Sequence, residues 1–202
     1  MATDAKTVLD AVLARIDDPE TLGVRDRDSA RTILDRLHEH LNFRLRLLTA
    51  TATLTQTPRR TVYALGEIAD DCQRVLNVAY QGRSISRQPW TSLGRVDGQW
   101  LRRVGPRPLM WCPFGLGTII IYPAPRTFSA VDVFYARRPA VLTTEDTVLE
   151  LRDDRLPLLR TLTEIVLHLR ARNLTQATAL LQALPSAFTA ADLVSGQRNA
   201  DV

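Results

Sequence analysis

Residues 48–55 read LTATATLT, so that threonine alternates strictly with alanine or leucine along this stretch. A period of two residues places the threonines on one face of a β-strand and the small apolar residues on the other. The residues before it follow a period of 3.6 and predict a helix that begins near Asp28. Its apolar stripe consists of Ile33, Leu34, Leu37, Leu41 and Leu48. The chain is therefore expected to change from helix to strand near residue 47.

The segment from residue 47 to about 142 continues in this β-rich pattern. Eight of the eleven prolines and seven of the nine glycines lie between residues 58 and 139, which indicates short strands joined by turns. Residues 58–60 are predicted to form a turn that returns the chain as a partner strand over 61–65. Residues 118–122 and 130–135 are predicted to form a hairpin, with 123–127 as its loop.

Helical periodicity marks both ends of the chain. Thr3 or Asp4 is a suitable N-cap for a helix whose apolar residues recur with a period of 3.6 as far as Ile16. Helical periodicity resumes after residue 153, with Asp153 or Asp154 as the expected cap and Pro157 in the first turn. A further amphipathic stretch from Leu174 ends before Pro185.

These patterns predict an α+β fold in three parts. Residues 1–46 and 153–185 are expected to form a helical bundle, and residues 47–152 an inserted β-rich lobe. Residues 186–202 are small and polar, with Phe188, Leu193 and Val194 as their apolar side chains, and are expected to form an extended, flexible tail.

The composition of the 202 residues narrows the class of protein. With 45% apolar and 24% charged residues, the chain is expected to form one globular domain, or one with an inserted lobe. The net charge of +4 does not by itself indicate nucleic-acid binding. No apolar run approaches the ~20 residues of a transmembrane helix, and the first twenty residues lack the apolar core of a secretion signal. We therefore expect no association with a membrane.

The residues that most often carry catalysis or bind metals form no recognisable site. Cys72 and Cys112 make no CxxC pattern and are predicted to be small buried hydrophobes in a reduced, cytosolic compartment. The three histidines, His38, His40 and His168, lack ligand spacing and are predicted to be surface or interface residues.

The remaining polar motifs have structural explanations. The acid pairs 17–18, 70–71 and 153–154 are predicted to lie at helix ends. The glycines at 115 and 117 are predicted to form a turn and not a phosphate loop. The sequence therefore predicts no catalytic, cofactor or metal residues, and a protein that is not an enzyme.

Arginine and tryptophan are the most informative polar and aromatic residues, since all but one of the 26 basic residues are arginine. One interpretation is a nucleic-acid-binding module that stacks bases and neutralises phosphates. We favour the other, subunit contact, because arginine and tryptophan are common interface anchors. The candidate interface residues are Trp90, Trp100, Arg102, Arg103, Arg107, Arg137 and Arg138, with Phe188 and Leu193 in the tail.

Several short sequence motifs, taken in their order along the chain, make this sequence resemble the head-to-tail adaptor (connector) proteins of tailed bacteriophages. The likeness is greatest to podophage tail-tubular-A-like adaptors and to the adaptors of gene transfer agents. It covers roughly residues 30–172 and departs from the family at Gly66, where a proline is usual. The motifs are TATLTQTPRRTVYAL with GEIADDCQRVLNVAYQGRSI, PW-x-x-L with GQW, PLMWCPFGLGTIIIYPAP, and VDVFYARRPAVL followed by RLPLLRTLTEIVLHLRAR.

This resemblance implies a structural protein of the virion neck, made in the host cytoplasm. It implies a homo-oligomeric, dodecameric ring beneath the portal protein that continues the DNA channel and presents a docking surface to a downstream tail or stopper protein. Genomic DNA would pass through the ring without sequence-specific contacts, and residues 186–202 would dock on the portal. Besides the nucleic-acid-binding module, the alternative is another neck or tail component, such as a stopper or tail completion protein.

Overall fold

The computed structural model describes residues 3–16, 27–45 and 48–184. Within them the chain forms two compact units, a helical unit of residues 3–16, 27–45 and 139–184 and a β unit of residues 48–138. The mixed α+β class is as predicted. The second boundary differs from the expected residue 152, because residues 139–152 pack with the helices: Leu142 and Leu149 are buried in their core. The predicted tail, 186–202, lies outside the described residues.

Five helices lie in the described residues, four of them in the helical unit. Asp4 caps the first helix as predicted, accepting a hydrogen bond of 2.8 Å from the Thr7 backbone N–H. The buried stripes of the first, second and fourth helices form one apolar core. None of the helices described is both long and apolar enough to span a membrane. The helices are Ala5–Leu13 (α1), Arg27–Leu45 (α2), Trp90–Val96 (α3), Leu156–Arg170 (α4) and residues 174–184 (α5).

The predicted capping of α4 by an aspartate is wrong. Residues Asp153–Arg155 form a 3₁₀ turn, closed by a hydrogen bond of 2.8 Å from the Arg155 N–H to the Arg152 carbonyl. The α-helix begins only after this turn, without a side-chain cap, and Pro157 lies in its first turn as expected. The pair Asp70–Asp71 precedes a strand and not a helix, and the pair 17–18 lies outside the described residues.

Ten strands make up the β unit in the described residues. They form one antiparallel sheet in the order β1-β10-β3-β4, one mixed sheet in the order β2-β8-β7-β5, and the parallel pair β6-β9. The strands are Thr49–Gln56 (β1), Val62–Ala64 (β2), Cys72–Tyr80 (β3), Arg83–Ser84 (β4), Ser86–Arg87 (β5), Val104–Gly105 (β6), Met110–Phe114 (β7), Thr118–Tyr122 (β8), Ala124–Pro125 (β9) and Ser129–Arg137 (β10).

The alternation along β1 is confirmed, since its four threonines are exposed while Leu54 on the opposite face is buried. Apolar side chains of the two larger sheets share one core, in which Leu54, Tyr63 and Trp111 are buried. A smaller core on the other face of the mixed sheet joins Leu93 of α3 to Tyr122 of β8. The mixed sheet is therefore covered on both faces.

Both predicted hairpins are wrong. β1 pairs with β10 and β2 pairs with β8, so the turn at 58–60 carries the chain from one sheet to the other. β8 and β10 likewise belong to different sheets, and the loop between them contains β9. Each predicted partner contributes to the shared core from the opposite sheet, which satisfies the same apolar pattern without pairing. The hairpins that form in the described residues are β3–β4 and β7–β8, and the predicted glycine turn lies at the end of the second.

Candidate assembly surface

The segment after α3 is fastened to the mixed sheet through Asp97. The Tyr122 hydroxyl donates a hydrogen bond of 2.8 Å to Asp97 Oδ2, and the Gln99 backbone N–H donates one of 2.9 Å to Asp97 Oδ1. The Gln99 bond, and secondarily the Tyr122 bond, lower the pKa of the Asp97 carboxyl. The ionised carboxylate therefore holds the residues that follow it against the end of β8.

Exposed apolar side chains form a surface at the end of the β7–β8 hairpin, here called the aromatic patch and consisting of Trp90, Phe114 and Leu116. The rings of Trp90 and Phe114 meet edge to face, with centroids 6.0 Å apart. Trp90 is 54% exposed, Phe114 38%, and Leu116 in the turn is fully exposed. Aromatic side chains left in solvent are typical anchors of protein interfaces. The patch is therefore suited to contact another protein.

The candidate interface residues in the described part of the chain have different environments in the structure. Trp90 contacts Phe114, whereas Trp100 is half-buried against the core around Leu93 and is thus partly a packing residue. The Arg103 Nε lies 3.8 Å from Asp97 Oδ2.

Four of the predicted arginines are exposed and one is half-buried in β10. Phe188 and Leu193 lie outside the described residues. The exposed arginines are Arg102, Arg103, Arg107 and Arg138, and the half-buried one is Arg137.

A cleft of about 520 Å³ lies between the β3–β4 turn and the segment before β7. We call it the arginine cleft, since Arg83 and Arg107 line it while none of its lining residues is acidic. Tyr80 and Leu109 add apolar surface. The cleft thus combines positive charge with apolar contact area.

The charge of the chain is divided unequally between the two units. The β unit, residues 48–138, contains twelve arginines and five acidic residues, a formal charge of +7. In the described residues of the helical unit, eleven acidic residues balance eleven basic ones. The excess of positive charge in the described part of the chain therefore belongs to the β unit.

The histidine prediction is wrong for His38, which is fully buried in the helical unit, while His40 is exposed. Burial lowers the pKa of His38, and the neighbouring Asp35 and Glu150 only partly offset this effect. The side chain is therefore neutral at pH 7 and lies on the buried stripe of α2, between Leu34 and Leu41.

Cys112 is buried and Cys72 is half-buried. Burial raises the pKa of each thiol to about 11, so both remain protonated at neutral pH. In the part of the chain that the structure describes, no three His, Cys, Asp or Glu side chains are grouped closely enough to hold a metal ion.

Sequence reasoning missed Phe114, Leu116 and Arg83. The glycines at 115 and 117 could have indicated that the side chains beside them lie at an exposed hairpin end. The positive charge of the β-rich segment could have been found by counting charged residues in that segment alone and not over the whole chain. Arg83 carries no comparable signal, because only the fold brings it and Arg107 to the lining of one cleft.

A comparison with family models matches residues 3–201 to the model described as SU10 adaptor protein. The match covers nearly the whole chain, including both units, and the chain belongs to the SU10 adaptor protein family. It is a bacteriophage structural adaptor and a component of the virion, which confirms the broader resemblance found in the sequence. No curated protein matches the chain.

Proposed function

We propose that this protein forms a dodecameric ring that joins the portal to the tail and continues the DNA channel, without catalysis or a cofactor. The family match over residues 3–201 carries this proposal. A closed ring requires two different, complementary faces on each subunit. The positively charged β unit with its aromatic patch differs in this way from the helical unit, in whose described residues the charges balance.

The two axial neighbours of the ring follow from the same proposal. Residues 186–202 would dock on the portal, ordering at a cost in conformational entropy that the new contacts offset. The opposite side of the ring would receive a downstream tail or stopper protein. Genomic DNA would pass through the centre, contacted only without regard to sequence.

Co-sedimentation with purified portal rings tests this function. The intact chain is expected to sediment with the portal as a ring-sized complex. Trp90→Ala should weaken this complex without unfolding the protein, because Trp90 is 54% exposed and its ring meets Phe114 within the patch. Arg126→Ala, an exposed residue of the same unit, is the control and should leave the complex intact. A chain that never sediments with the portal would contradict the proposal and favour a stopper or tail completion protein.

The charge of +7 on the β unit favours nucleic-acid binding as a second candidate function. When binding depends on phosphate contacts, the logarithm of the binding constant falls linearly with the logarithm of the salt concentration. If this function is correct, the protein retards the electrophoretic mobility of duplex DNA at low salt, and the affinity falls steeply as salt rises. An unchanged mobility at low salt would rule out this second function.

A further inference from the structure

The walls of the arginine cleft are held in place by backbone geometry. Gln81 and Gly82, with φ of 51° and 74°, form the two-residue turn that pairs Tyr80 with Arg83. On the other wall, the Leu109 N–H donates a hydrogen bond of 2.8 Å to the Tyr122 carbonyl. The parallel pairing of β5 with β7 begins just beyond both walls. Arg83 and Arg107 are therefore presented from two fixed segments.

Neither cleft arginine has a hydrogen bond or an ion pair within the described part of the chain. Two positive charges that line one cleft, with no acidic residue beside them, favour the binding of an anion. Arginine binds carboxylates in a planar, bidentate geometry. The exposed apolar surface of Leu109 beside them favours a ligand that also carries apolar side chains.

This shape and composition favour a peptide over duplex DNA. The volume of about 520 Å³ is that of a concave site for a small ligand or a few side chains. A duplex presents its phosphates on a convex surface and offers no apolar side chains to Tyr80 and Leu109. The expected ligand is therefore an acidic peptide segment with apolar neighbours.

One segment of the helical unit has that composition. Of its eleven acidic residues in the described ranges, ten have a partner in the structure, and Asp146 has none. Asp146 lies in a turn closed by a hydrogen bond of 3.3 Å from the Thr147 N–H to the Thr144 carbonyl. Val141 and Val148 beside it are 60% and 49% exposed. We call residues 141–148 the Asp146 loop.

We propose that the arginine cleft of one copy binds the Asp146 loop of a second copy. The unpartnered carboxylate would pair with Arg83 and Arg107, and the exposed valines would contact Tyr80 and Leu109. Because cleft and loop are different surfaces, the contact is heterologous and can repeat around a ring. This inference rests on the proposed ring and names one contact within it.

Sedimentation velocity of the isolated protein tests the contact at about 25 mM and about 500 mM salt. The parent is expected to self-associate at low salt and to dissociate at high salt. The double variant Arg83→Glu/Arg107→Glu and the single variant Asp146→Arg should each sediment as monomers. The triple variant that combines them restores opposite charges and should associate again.

A matched control changes the same amount of charge elsewhere on the unit. Arg95→Glu/Arg126→Glu alters two exposed arginines outside the cleft and should associate like the parent. The proposal is overturned if the parent stays monomeric, if both double variants behave alike, or if the triple variant fails to associate while remaining folded. It is also overturned if the cleft variant alone loses binding to a short DNA duplex without a change in self-association. Portal co-sedimentation of the same variants reports on the adaptor function separately.

Discussion

The Tyr122 hydroxyl at the end of β8 donates a hydrogen bond of 2.8 Å to Asp97, the residue at which α3 ends. This bond connects the mixed sheet to the segment that carries Trp100, Arg102 and Arg103. Tyr122 is nearly buried, so its ring packs in the core while its hydroxyl reaches the carboxylate. One side chain thereby links core packing to the position of predicted interface residues.

Tyr122→Phe should lower the free energy of unfolding in a pH-dependent way. The pKa of Asp97 is lowered from 3.8, so its stabilising contribution is present above that pH and is lost as pH falls through the folded-state pKa. The difference from the parent should therefore be largest at neutral pH and shrink near pH 3, measured by urea unfolding. A difference independent of pH would contradict the charged hydrogen bond. Tyr122→Ala also removes the ring and should cost about 3–5 kcal/mol.

Trp111→Ala should destabilise the β unit by about 3–5 kcal/mol, because it leaves a large cavity. The side chain is 1% exposed in the core shared by the two larger sheets. Thermal or urea unfolding measures the loss. Trp90→Ala is the matched control. It removes a tryptophan side chain from the surface and should leave the midpoint of the unfolding transition unchanged. If Trp111→Ala melts like the parent, Trp111 is not part of that core.

Gly105→Ala and Gly94→Ala should have opposite effects on stability. A Cβ at residue 105 would overlap the ring of Pro123 and strain the β6–β9 pair, at a cost of about 1–3 kcal/mol. A Cβ at residue 94 meets no atom within 4 Å and lies within α3, where alanine is favoured over glycine by about 0.5–1 kcal/mol. Equal shifts of the two melting temperatures would contradict the close approach of residues 105 and 123.

The sequence predicts those parts of the fold that depend on local periodicity. The alternation of β1 and the capping of α1 by Asp4 depend on neighbouring residues, and both predictions are confirmed. Which strands pair depends on contacts between distant residues, as when Thr49 of β1 lies opposite Ala136 of β10. An apolar face indicates that a strand is buried, but it does not indicate which sheet the strand joins. Both hairpin predictions were wrong for that reason.

The residue types of the candidate surface could be predicted from the sequence, but the contacts between its side chains could not. Tryptophan and arginine marked the β-rich segment as a contact surface, a prediction that stays untested. Trp90 contacts Phe114, and Arg83 and Arg107 line one cleft, only because the fold brings together residues that are distant in the sequence. His38 was assigned to the surface from its residue type, although its spacing from Leu34 and Leu41 places it on the buried stripe of α2.

Replacing His38 should reduce the sensitivity of the helical unit to mild acid. Its pKa is lowered from 6.5 by burial, so the unfolded state takes up a proton first as pH falls. Stability is therefore present above pH 6.5 and is lost below it, toward the folded-state pKa. His38→Leu should flatten this part of the curve of unfolding free energy against pH. His40→Gln, exposed on the same helix, should not; equal curves for the His38 variant and the parent would contradict the assignment.

Deleting residues 186–202 should spare the unfolding transition of the described units and weaken co-sedimentation with the portal. The deletion removes Phe188 and Leu193, the two predicted contact residues of that segment. Circular dichroism on heating and portal co-sedimentation measure the two effects separately. Loss of the soluble monomer would show that the segment belongs to the core of the helical unit.

Cryo-electron microscopy of the virion with this chain located tests the adaptor role most directly. We expect a ring of twelve copies that contacts the portal on one side and the next tail component on the other, with DNA or an open channel at its centre. A density for this chain that never touches the portal, or virions without the chain, would contradict it.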